Sequence, residues 1–113
     1  MEIARYPDLE PFTTKDGSTI REYLHTPVQS LAEATLTPGQ STQRHYHRLA
    51  EEIYLITEGG GTMELDGETM EVGPGEAIRI PPGAWHELLA GADGVKLLCC
   101  CVPAYSHDDT FFE

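Results

Sequence analysis

The chain has 113 residues, 40% of them apolar, and a formal net charge of −12 from 19 acidic against 7 basic side chains. That length gives one domain with one core, and that apolar content is too high for a disordered chain. The acidity repels phosphate backbones and anionic bilayers, which argues against nucleic acid and membranes as partners.

Residues 1–18 are polar and carry Pro7, Pro11 and the turn pair Asp16-Gly17, so they predict an extended arm. A first strand is expected over 19–25, stopping before Pro27. A second is expected over 29–37, where Ala34 and Leu36 alternate with Glu33 and Thr35 and Pro38-Gly39 closes the run. Residues 41–47 read as extended. Residues 51–58 are rich in Ile, Tyr, Leu and Thr, a composition that suits a strand. Gly59-Gly60-Gly61 reads as a turn. Asp66-Gly67, between 62–65 and 68–72, is a two-residue type I′ hairpin signal. Gly73-Pro74-Gly75 predicts another turn, 76–80 a short strand, and Pro81-Pro82-Gly83 its break. The last pair, 85–90 and 95–102, is expected to be joined by a turn at 91–94.

The tail from 103 to 113 holds Tyr105, Phe111 and Phe112, and an exposed tail seldom spends three aromatics. About eight to ten short strands with regular turn signals and no helical period predict an all-β barrel or sandwich. The expected layout is an arm (1–18), a barrel (19–102) and a tail (103–113) docked on the barrel. No apolar run approaches the length of a membrane-crossing helix, and the first dozen residues lack the pattern of a secretory leader. Cys99, Cys100 and Cys101 are contiguous and odd in number, which is no disulfide framework. They predict buried, reduced thiols in a cytoplasmic protein.

A strand sends alternate side chains to one face. His45 and His47 therefore share a side, with Gln43 two residues earlier. Glu52, Tyr54 and Ile56 share a face of the next strand, and His86 and Leu88 share one after Gly83. If these faces point inward, three imidazoles and one carboxylate converge. A buried carboxylate then requires a cation or a hydrogen-bond donor. Neighbouring cysteines face opposite ways, so the three thiols do not reach one ion together.

The stretch GQSTQRHYHRLAEEIYLITEG, 39–59, resembles the first motif of the cupin superfamily: Gly, five residues, His-x-His, three or four residues, Glu, six residues, Gly. The stretch GEAIRIPPGAWH, 75–86, resembles the second: Gly, five residues, Pro-x-Gly, two residues, His. An Asn often closes the second motif where Ala90 stands here, but that Asn is not a ligand in the family. The resemblance implies a double-stranded β-helix barrel of cupin, jelly-roll-like type. It also implies His45, His47, Glu52 and His86 as the ligands of one divalent transition ion: Fe, Mn, Ni, Zn or Cu. Six residues separate Glu52 from Gly59, as the motif requires, whereas Glu51 is one position too far. Gln43 and Tyr54 stand where orienting or proton-transferring groups would sit, although a core aromatic is the plainer reading of Tyr54. Ile56, Ile80 and Leu88 are expected to wall a substrate pocket.

The family hosts many reactions on one fold, so the function implied is coarse. The expectation is a metal-dependent enzyme of isomerase, lyase or dioxygenase type, acting on a small oxygen-rich molecule such as a sugar, sugar acid or organic acid. The alternative is a non-catalytic module that binds or senses a small molecule. The strand at 51–58 carries apolar residues on both faces: Tyr54 and Ile56 on one, Ile53 and Leu55 on the other. One barrel wall needs only one such face, so a homodimer is expected to cover the outer one.

Overall fold

A computed structural model describes residues 1–113. It contains β1 (Phe12–Thr13), β2 (Thr19–His25), β3 (Ser30–Leu36), β4 (His45–His47), β5 (Glu51–Leu65), β6 (Glu68–Val72), β7 (Ala77–Ile80), β8 (His86–Val102) and β9 (Thr110–Phe112). Two single-turn 3-10 segments, Tyr6–Asp8 and His107–Asp109, are the only helical pieces. The all-β expectation holds, and no helix is long and apolar enough to cross a membrane.

Two long strands organise the sheet. β5 and β8 run antiparallel along nearly their whole length. The first half of β5 pairs with the second half of β8 (Glu52↔Cys101, Ile56↔Leu97), and the second half of β5 with the first half of β8 (Met63↔Leu88, Leu65↔His86). On one side of this spine lie β7 beside β5, and β3, β2 and β1 beyond β8. At the other end β6 flanks β5, while β4 and then β9 flank β8. The two groups of strands are the two walls of a jelly roll, joined where the long strands bend.

Here the sequence expectation needs correction twice. Gly59-Gly60-Gly61 and residues 91–94 do not end strands; both lie inside them. Their glycines serve close approach and curvature. The register slips between Ile56 and Glu58 and between Gly59 and Gly61, and such bulges bend a strand. A Cβ on Gly59 would overlap the Gly94 carbonyl oxygen, and one on Gly61 the Leu89 carbonyl oxygen. Glycine is read as a turn locally, but a sheet that folds over itself needs it for packing. At Asp66-Gly67, where both φ angles are positive (48° and 91°), the hairpin forms as expected.

Residues 41–44 are the third difference. Only His45–His47 is strand, because Ser41 makes a single bridge to Leu89 and the chain between does not keep the pleat. Alternation therefore fails there, and Thr42 is buried while Gln43 is exposed. The core is built by Leu36, Ile56, Ile80, Leu88 and Leu97. Each is 2% exposed or less. Inward alternation on β5 places Glu52, Tyr54 and Ile56 inside, whereas Ile53 (43%) and Leu55 (38%) face solvent in the single chain. All three cysteines are free. Cys101 is buried, and Cys99 and Cys100 are half-buried as residues, with Cys99 packed against the core, so the expected burial is least complete at Cys100.

Candidate metal centre

The site is assembled by three strands that are distant in sequence. β4 supplies His45 and His47, β5 supplies Glu52 and β8 supplies His86. His45 pairs directly with His86 across the sheet. The reactive nitrogens of His45, His47 and His86 lie within 4.8 Å of one another. Glu52 Oε1 is 3.4 Å from His47 Nε2 and 3.6 Å from His86 Nε2. Exposure is 2% for His45, 3% for His47, 5% for Glu52 and 1% for His86.

The ring orientations are fixed from behind. His45 Nδ1 lies 2.7 Å from the Gln43 carbonyl and His86 Nδ1 3.0 Å from the Ala84 carbonyl. A carbonyl only accepts, so both Nδ1 atoms carry the proton. His47 Nδ1 lies 3.1 Å from Thr110 Oγ1, whose own hydroxyl donates to the Ser106 carbonyl, so Thr110 accepts as well. In the neutral rings the Nε2 lone pairs are then left facing inward. Such backing of a ring nitrogen is how metal-binding histidines are held.

What faces inward has no partner. His47 Nε2, His86 Nε2 and Glu52 Oε1 are buried and make no hydrogen bond, since their mutual contacts lack hydrogen-bond geometry. Acceptors aimed at one point from several sides, with no donor among them, are costly unless a cation sits between them. The donor set of imidazole nitrogen and carboxylate oxygen fits a divalent transition ion. Burial pushes the His45 imidazole down to about 4, helped by His86 and opposed by the Gln43 carbonyl, so this ring is neutral at ordinary pH. Burial works against the Glu52 anion, and the His47 and His86 side chains hold the carboxyl well below the usual range only where they present positive charge to it, the part a bound cation takes over. The other Glu52 oxygen, Oε2, accepts from the Cys101 thiol at 3.2 Å. Burial and the Glu52 charge raise that thiol, so it stays protonated and donates.

The cluster opens into a partly enclosed cavity of about 60 Å³. Leu88 and Tyr54 line it. Tyr54 is 5% exposed and its ring lies 6.0 Å from that of His86. Burial and the Glu52 charge keep its phenol protonated. Ile56 and Ile80 lie in the packed core and not on the cavity wall. The Gln43 side chain is exposed, and this residue serves the site only through its carbonyl. Sequence reasoning assigned no part in the site to Thr110, which backs His47, or to Thr42, Asp16 and Cys101, which line the cavity. Thr110 arrives from β9, which pairs with β4 (His47↔Thr110), and nothing near residue 110 announces that pairing. The T-x-D-x-S pattern of Thr14, Asp16 and Ser18 was a usable signal for a braced turn, but not for where that turn points.

Comparison with known proteins comes to the same place. A family model described as "Cupin domain" matches residues 32–102. Protein MJ1618 of Methanocaldococcus jannaschii, itself uncharacterised, is 48% identical over 111 residues, covering 93% of this chain and 89% of its own. The dimethylsulfoniopropionate lyase DddW of Ruegeria pomeroyi is 36% identical over 83 residues; the match covers 74% of this chain and 50% of that protein. Among solved structures, Streptomyces PAC13 with uridine superposes with a TM-score of 0.86 over 100% of this chain and 91% of its own, at 18% identity.

Proposed function

The chain belongs to the cupin family, and on that premise we propose that it is a metal-dependent enzyme acting on a small, polar, oxygen-rich molecule. His45, His47, Glu52 and His86 are the proposed ligands. The observation that carries this reading is the trio of buried, unpartnered atoms, His47 Nε2, His86 Nε2 and Glu52 Oε1, directed at one another. A bound divalent ion would supply Lewis acidity, polarising a carbonyl or hydroxyl oxygen of the substrate. The protein's own groups do the rest. Core side chains behind the cluster keep water to the cavity side, and the Nδ1 partners keep the rings from turning. Tyr54, protonated and on the cavity wall, is the group placed to donate a proton or hydrogen bond to a bound oxygen.

Lyase chemistry is the favoured class, because a relative sharing 36% identity over 74% of this chain bears a lyase name. The reduced, unpaired cysteines support a cytoplasmic protein. Ile53, Leu55 and Val102, all exposed on the outer face beside β7 and β8, support a homodimer formed through that face. The function is tested by elemental analysis of the purified protein, followed by turnover assays on hydroxylated and carbonyl compounds with and without oxygen. One equivalent of a transition metal and turnover of at least one compound are expected. Protein that takes up no Fe, Mn, Ni, Zn or Cu removes the enzyme reading and leaves a non-catalytic binding module.

A further inference from the structure

The cavity has an unusual charge pattern. No lysine or arginine lines it, and besides Glu52 its wall carries two more carboxylates, Asp16 and Glu22. Glu22 is at the rim, one oxygen 3.1 Å from His25 Nδ1. Asp16 is different, because the fold holds it firmly in place. Its Oδ1 accepts from the Thr14 hydroxyl at 2.6 Å, the Ser18 hydroxyl at 2.6 Å and the Ser18 amide at 2.9 Å. Three donors on one oxygen fix the carboxylate plane, and Oδ2 is left with no partner in the protein.

The turn that carries Asp16 is fastened to the histidine strand. The Gln43 amide donates to the Asp16 carbonyl at 2.9 Å. Gln40 Nε2 donates to the Gly17 carbonyl at 2.6 Å. Gln43 is also the residue whose carbonyl holds His45. Asp16 is therefore two hydrogen bonds from the metal cluster by way of rigid backbone, and its charge is felt at His45, Tyr54 and Tyr105 around the cavity. A carboxylate ordered by its neighbours, with one free oxygen at a cavity wall, is built to accept from a ligand.

We infer that Asp16 is a specificity-determining residue of this cavity. Its free oxygen accepts a hydroxyl of the bound molecule and its charge keeps anions away from the cluster, so the ligand is a neutral, hydroxyl-bearing compound, not a sugar acid or organic acid. The inference rests on the proposed function, which leaves both kinds open. The physical reason is that Asp16, Glu22 and Glu52 outweigh the charge of a bound divalent ion in a cavity with no cationic side chain, so a negative ligand meets net negative charge in a medium that screens poorly.

The test uses two small probes that differ by one charge, lactate and its amide, lactamide. Each presents one hydroxyl and one carbonyl to an ion. Cobalt-loaded wild type, Asp16→Asn and Asp16→Glu are titrated with both at neutral pH, followed by the visible Co(II) bands. Asp16→Asn keeps Oδ1 and its donors but loses the charge, and Asp16→Ser replaces it should the Asn variant not fold. Lactate affinity is expected to rise at least fivefold in Asp16→Asn, with lactamide unchanged or weaker, and Asp16→Glu is expected to behave as wild type. Equal lactate affinity in wild type and Asp16→Asn overturns the inference. The same pair is run by thermal shift on metal-free protein, where a response to lactate gained only on loss of the charge again supports the inference and identical responses again overturn it. Failure of cobalt to bind wild type counts against the metal reading alone, since the metal-free arm still decides the role of Asp16.

Discussion

Glu51 and Glu52 are neighbours in the chain and occupy opposite faces of β5. Glu51 is on the outside, its carboxylate 2.9 Å from the exposed Arg79 guanidinium. Its companions there are Ile53 and Leu55, both facing solvent. Glu52 is on the inside at 5% exposure, ringed by His47, His86 and Cys101. The same side chain is a solvated surface charge in one position and a deeply buried anion in the next. Period-two alternation produces the contrast, and everything costly in this molecule lies on the inner face.

The largest expected break in that contrast comes from Glu52→Gln. Removing an anion from among facing imidazoles should weaken metal binding about a thousandfold, ~4 kcal/mol, in the range seen when a buried charged group loses its partner. Metal titration with a competing chelator checks it, and retention of metal by this variant together with its loss from Glu51→Gln would reverse the inner and outer assignment.

Next in size is a pH effect on the metal-free protein, confined to the inner face. His45 is held at about 4 in the fold, against roughly 6.5 in an unfolded chain. Above pH ~6.5 the ring is neutral in both states and contributes nothing to the pH dependence. As pH falls from there to about 4, the unfolded chain takes up a proton that the folded site refuses. Stability should then drop by about 3 kcal/mol and level off below that. Urea melts at pH 7 and pH 4 should show His45→Gln losing less stability than wild type. An equal loss in both would remove His45 as the source.

The curl that separates the two faces is addressed by Gly61→Ala. Its Cβ would collide with the Leu89 carbonyl oxygen of the paired strand, and overpacking of this kind costs about 2 kcal/mol. Gly67→Ala has open space around it and a positive φ of 91°, so a smaller loss of ~1 kcal/mol is expected from the turn alone. Thermal melts that rank the two the other way would show that the long strands do not need their glycines.

The outer face is probed last. Ile53→Arg should convert a dimer to a monomer by light scattering and leave metal content unchanged. A wild-type protein that is already monomeric at micromolar concentration rules out the proposed dimer. Smallest of all, Glu51→Gln removes one exposed ion pair with Arg79 and should cost under about 0.5 kcal/mol. Its metal content should stay within about twofold of wild type, because its carboxylate points away from the cluster.

The amino-acid sequence by itself determined the strand-rich fold, the Asp66-Gly67 hairpin, the face that Glu52 shares with Tyr54 and Ile56, and the face that His45 shares with His47. All of these depend on spacing within a few residues, where alternation and turn chemistry are local rules. Tertiary structure decided the rest. It decided that Gly59–61 and 91–94 bend strands instead of ending them, because only the pairing of β5 with β8 creates the collisions a side chain would make. It put Ile56 and Ile80 in the packed core and turned Gln43 outward, since alternation does not survive where the pleat is lost at 41–44. It brought Thr110 behind His47 across 63 residues of chain and set Asp16, read locally as a mere turn residue, on the cavity wall beside the cluster. Contacts between segments so far apart are fixed by how the sheet closes on itself, and no local pattern encodes that closure.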